Sequence, residues 1–133
     1  MTAFAAIAHR WGSVNSLINT IGPADGHFED LDDDEALVIE VVPPECEYWM
    51  IALHNHWMET FDYVNHRSAL NCQSAQLEAD GSVRFVVAGR DPGVANWLDT
   101  AGHRRGTVGM RWVGPDVIDR LPSTRVVPLD SLR

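Results

Sequence analysis

The feature that most constrains this chain is the shortness of its apolar runs. From Ala36 onward each run is rich in β-branched and aromatic residues, and Gly, Pro or Asp cuts it after about ten residues. Five runs fit this description, "ALVIEVVP", "EYWMIALHN", "VRFVVAG", "GTVGMRWVG" and "STRVVPL", and "LNCQSAQLE" reads as a sixth, weaker strand. Such patterning leaves no room for long helices after residue 25. It predicts an all-β domain, a sandwich or a barrel.

Two runs carry more information than the rest. In "EYWMIALHN", Tyr48, Met50 and Ala52 alternate with Trp49, Ile51 and Leu53. Both faces are apolar, so this strand is expected to be central and buried. "ADGS", at 79–82, sets Asp-Gly before "VRFVVAG" and reads as a hairpin turn. The N-terminus differs. Phe4, Ile7, Ala8, Trp11, Val14, Leu17, Ile18 and Ile21 recur at helical spacing, weakened at Gly12 and Ser13 and stopped by "GPADG". The expected organisation is a helical segment over 1–24 and a sandwich over 25–133.

Length and charge narrow the function classes. The chain has 133 residues, enough for one domain with its own core. Nineteen acids against ten bases give a net charge of −9. Duplex nucleic acid and anionic membranes select the opposite sign, so neither is an expected partner. No apolar run approaches the roughly 18 residues of a membrane span, and no basic region precedes the short N-terminal apolar run. A cytoplasmic location is the expectation. Cys46 and Cys72 are too few for a disulfide scaffold and lack zinc-ligand spacing, so they read as buried thiols.

Four stretches could carry chemistry. The acidic run Asp30, Asp32, Asp33, Asp34 and Glu35 offers oxygens but lacks the Gly and Glu of a calcium loop, and reads as a solvated approach to a strand. "LHNHW" ends a strand with His54 and His56, which an extended chain points to one side. They are the candidate metal ligands, with His66 or His103 as a third; the other reading is a strand end turning polar. In "ETFDYVNHRSALN", Tyr63 and Arg67 could bind a polar ligand, or the loop's Asp and Asn could serve their own backbone. In "NWLDTAGHRRG", Asp99 and His103 lie four apart, and one helical turn would bring them together. An Asp holding a His is the orienting half of a general base, so Asp99 and His103 are the catalytic candidates. No nucleophile motif accompanies them. The alternative is a pinned loop in which Asp99 caps, His103 bonds backbone and Trp97 plugs the sandwich end.

This stretch also carries a resemblance. "RDPGVANWLDTAGHRRGTVGMRW", with "HNHWMETFDYVNHRSALN" and "DGSVRFVVAGRDPG" upstream, resembles the bacterial family catalogued as domain of unknown function 1214. The likeness runs from about Asp32 to "RVVPL", roughly three-quarters of the chain. It implies an antiparallel sandwich of jelly-roll type, which in that family forms the C-terminal part of longer proteins. The chain lacks their long N-terminal part and has Ala95 where they usually have Pro. No activity is agreed for the family, so Asn96, Trp97, Asp99, Thr100, Gly102 and His103 transfer only as a signature.

Three functions remain open. The first is a module binding a small polar or carbohydrate-like ligand at a loop-end cleft, through Trp57, Tyr63, Arg67, Asn96 and Trp97. The second is a metal-assisted or Asp–His general-base enzyme acting on a small organic substrate. The third is a structural domain that pairs with its own copy through residues 3–21. The sequence names no cofactor.

Overall fold

A computed structural model describes residues 16–21, 27–28, 30–115, 117 and 120–133. Among the described residues nine strands follow one another: β1 (Ser16–Ile21), β2 (His27–Phe28), β3 (Glu35–Val41), β4 (Tyr48–His54), β5 (Ala69–Asn71), β6 (Val83–Ala88), β7 (Trp97–Asp99), β8 (Gly106–Val113) and β9 (Ser123–Pro128). A 3-10 turn, Leu129–Leu132, follows β9. The domain is all-β, in two sheets.

The first sheet runs β1-β8-β4-β5, with β2 also paired to β8. The second runs β7-β6-β3-β9. Strand alternation places one face of each sheet in a shared core. Trp49, Ile51, Leu53, Val108, Met110 and Trp112 come from the first; Leu37, Ile39, Phe85, Val87 and Leu98 come from the second. Trp49 stands edge-on to both Phe85 and Trp112, at 5.9 and 6.3 Å. This geometry suits the charge distribution of aromatic rings. The expectation for "EYWMIALHN" holds, since β4 lies between β8 and β5. Its second face is only half-buried at Tyr48 and Met50.

The second sheet is covered on its outer face as well. Ala36, Val38, Val86 and Ala88 pack under Leu129, with Val94, Trp97, Val127 and Leu132 around them. The Leu129 N–H donates to the Asp34 carbonyl and holds the last turn in place. Both faces of β3 therefore demand apolar residues, which explains the unbroken "ALVI".

Three expectations need correction. Residues 16–21, within the expected helical segment, form strand β1 along β8, while 1–15 lie outside the described residues. Three of the six, Ile18, Thr20 and Ile21, are β-branched. Without β1 and β2, β8 would be an open sheet edge behind Val108, Met110 and Trp112. Secondly, the sheets are not wholly antiparallel, because β6 and β7 pair in parallel. The segment 89–96 recrosses the sheet end, so β7 starts beside Val86 and runs the same way. Thirdly, the turn at "ADGS" exists, with Gly81 at φ 83°, but joins no hairpin. β5 before it belongs to one sheet and β6 after it to the other.

Candidate functional site

One end of the two-sheet core gathers most of the residues singled out by sequence. Two loops after β4 build it, and each is organised by one short polar side chain. The Asn55 Oδ1 accepts the Trp57 and Glu59 N–H groups at 2.9 and 3.0 Å, and its Nδ2 donates to Glu59. Met58 sits at φ 64° as a result of this tight turn. The Asp62 carboxylate accepts the Val64 and Asn65 N–H groups, and the Asn65 amide at 2.7 Å. These bonds, the Asn65 amide first, hold the Asp62 carboxyl below its usual range. With the polar residues turned inward on their own backbone, the residues just after them face water. Trp57 is 73% exposed, Met58 52%, Tyr63 68% and Val64 80%.

The third wall is the stretch 95–106. Its Asn96, Trp97 and Asp99 side chains are already engaged. Asn96 is buried; its Oδ1 accepts the Gln76 N–H at 2.8 Å and its Nδ2 donates to the Gln76 and Arg84 carbonyls. The Trp97 indole donates to the Ala88 carbonyl at 3.0 Å and packs on the outer face of the second sheet. Thr100 and His103 close a turn in which Ala101 and Gly102 both have positive φ, 51° and 80°. Two consecutive residues in that region define a primed turn, which excludes the expected helical turn.

That turn changes the partner of Asp99. His103 lies flat on Phe61, rings 4.3 Å apart. Asp99 instead meets His66, with Nδ1 and Oδ2 2.8 Å apart. The other carboxylate oxygen accepts the Ala101 N–H at 2.8 Å, and the Asp99 N–H donates to the Arg67 carbonyl. Arg67 donates in turn to the Ala95 carbonyl at 2.7 Å. The two loops are thus stitched at three points. The pair spans 33 residues of sequence, so no local spacing could announce it.

The candidate metal pair is separated. Extended backbone ends at His54, and the Asn55 turn carries His56 outward, its ring 4.6 Å from Trp57. His54 lies over Gly109, with Cε1 about 3.1 Å from where a Cβ would stand. Its Nδ1 is buried without a hydrogen-bond partner. Loss of hydration pushes the His54 pKa down, against a smaller upward pull from the Thr107 backbone. Among the described residues no group of three metal-ligating side chains occurs. The acidic run is exposed and tied down: Asp32 pairs with Arg104, and the Asp33 carbonyl accepts from Arg90.

A second feature was not foreseen. At the far end of the second sheet lies an open groove of about 650 Å³, lined by Glu40, Glu78, Asp80, Arg84, Arg120 and Leu121 among others. Glu40 bridges Arg125 and Arg84 at 2.7 and 2.8 Å. Its carboxyl is held below the usual range, chiefly by Arg125. The three residues meet only through the β3 pairings with β6 and β9, which a linear pattern does not display.

Known proteins extend the fold but not the chemistry. The crystal structure of an uncharacterised protein from Burkholderia cenocepacia is similar to 97% of this chain, at 42% identity and a TM-score of 0.80. The VPA0106 protein from Vibrio parahaemolyticus shares the fold over 93% of the chain, at 16% identity and a TM-score of 0.64. The chain spans about a third of each, 34% in both cases. No family model matches the chain, and no curated protein does.

Proposed function

We propose that the chain is a binding module for a small polar or carbohydrate-like ligand, received at the loop end around Trp57, Tyr63, His66 and Arg67. One observation carries the reading: four large apolar side chains stand exposed within eight residues, beside a histidine held by a partly buried aspartate. Loose apolar exposure of that density marks interaction surfaces. Trp57 and Tyr63 supply ring faces, while His66 and Arg67 supply hydrogen-bonding groups. Asn96 and Trp97 belong to the framework in this reading, because their polar groups already serve the backbone. We also read the chain as a member of the domain of unknown function 1214 family with a jelly-roll sandwich, on the strength of the 96–106 signature.

The test is a titration of the folded chain with a panel of monosaccharides and small hydroxy acids, following indole and amide NMR shifts. Saturable shifts at Trp57, Tyr63 and His66 are expected, and Trp57→Ala should remove them. Shifts confined to other faces would overturn the reading.

A further inference from the structure

We propose that His66, positioned by Asp99, is a general base that directs water onto the carbonyl of a small carboxylic ester or lactone. The inference rests on the loop end being the ligand site. It starts from the tautomer. A carboxylate can only accept, so the 2.8 Å contact makes His66 Nδ1 the donor. The lone pair of the neutral ring is then on Nε2, which makes no protein hydrogen bond among the described residues. Asp99 is suited to fixing that state. Its carboxylate is only 17% exposed and cannot swing away, because its second oxygen holds the Ala101 N–H. Its own N–H is tied to Arg67, next to His66 in the chain.

The substrate class follows from what surrounds the pair. No hydroxyl or thiol bonds to His66 among the described residues, and nearby Ser68 is buried with its backbone engaged. The group that His66 can deprotonate is therefore a water. An ester asks the least of such a site: its carbonyl accepts water directly, and its alcohol leaves with one proton. Nε2 takes a proton from water as the water oxygen bonds to the acyl carbon. The carbonyl electron pair moves onto oxygen. The pair then returns, the carbon–alkoxy bond breaks, and Nε2–H protonates the departing alcohol. Ester and water become acid and alcohol, with no change in oxidation state. Arg67 commits one NH2 to the Ala95 carbonyl and has further N–H donors for the developing oxyanion or the product carboxylate.

The experiment is hydrolysis of 4-nitrophenyl acetate by the full chain, measured against the same concentration of free imidazole. A positioned base is worth on the order of 100-fold, so the chain should exceed imidazole by about that factor, without an acyl-enzyme burst. His66→Ala and His66→Gln should both fall to the imidazole level. Asp99→Asn should lower the rate by at least about tenfold and change the pH profile, since an amide no longer dictates which nitrogen is the donor. His66 is half-exposed and these variants should fold, which amide NMR spectra check. A rate equal to imidazole, or full activity in His66→Ala, overturns the inference. If the ligand panel still shifts Trp57 in that event, the binding function stands alone; if neither is seen, both fall.

Discussion

The stretch Asn96–Gly106 and the loops from Asn55 to Arg67 lie against each other, yet they use their side chains in opposite ways. The first turns nearly everything inward: Asn96, Trp97 and Asp99 serve the backbone or the neighbouring loop, and Thr100 is buried. The second keeps Asn55 and Asp62 for its own backbone and leaves Trp57, Met58, Tyr63 and Val64 in water. A polar, motif-like stretch can thus be framework, while the surface that meets a ligand is built by plainer loops beside it. His66–Asp99 is the seam between them.

The largest effect should come from the end of the framework stretch. A methyl at Gly106 would collide with the His54 carbonyl oxygen and lie 2.8 Å from Phe28 Cζ. Neither can yield, since the first is backbone in a central strand and the second is buried in the core. Gly106→Ala should therefore cost about 3 kcal/mol or more in urea unfolding, the upper end for overpacking. A cost below about 1 kcal/mol would mean that the signature glycine is not a packing requirement and would break the comparison.

Next is Asn96. Truncation to Ala orphans the Gln76 N–H and removes a donor from two carbonyls. The expected loss is about 1–3 kcal/mol, with ligand-induced shifts at Trp57 unchanged in the folded fraction. Loss of those shifts at full stability would instead make Asn96 a ligand contact.

The divide also explains how much the sequence could tell. Strand patterning is local, so β3, β6, β8 and β9 are legible as short runs with β-branched residues, and β4 as an alternation with two apolar faces. β1 was not, because Leu17, Ile18 and Ile21 satisfy a helical stripe as well as a strand, and the choice depends on the distant edge of β8. The same limit applies to the site. Asp99 was legible as an orienting acid, but its partner was assigned by spacing. Positive φ at Ala101 and Gly102 sends His103 to Phe61, and His66 arrives from another loop. Trp57, Tyr63 and Arg67 were legible as ligand candidates, whereas the Asn55 turn that parts His54 from His56 was not.

A smaller effect sharpens the line at His54, which opens the exposed loop but behaves as framework. Its pKa is pushed below the ordinary 6.5 by lost hydration. In acid the unfolded chain then binds the proton more readily than the folded one. The stability contribution is complete above pH 6.5 and is lost as pH falls through the depressed folded value. The contribution of Glu40 is complete above its ordinary 4.5 and is lost only below it, so it does not obscure the window between. Unfolding free energy should therefore decline from pH 6.5 towards 4.5 more steeply in the native chain than in His54→Gln. Identical profiles would show that His54 is solvated like the loop that follows it.

The smallest effect concerns the exposed loop itself, and there the expected value is close to zero. Trp57 is held outward by its N–H bond to Asn55, and Tyr63 by the turn in which the Val64 and Asn65 N–H groups bond to Asp62, not by their own packing. Removing the rings should leave those turns intact. Trp57→Ala and Tyr63→Ala should each change unfolding stability by no more than about 0.5 kcal/mol, as for other surface positions. Among the described residues His56 is the ring set against Trp57, and it is itself exposed. A loss above about 1 kcal/mol would mean that these aromatics brace the loop, and their exposure would no longer argue for a ligand. Unchanged stability, together with lost ligand shifts in Trp57→Ala, would leave recognition as the property that the exposed rings serve.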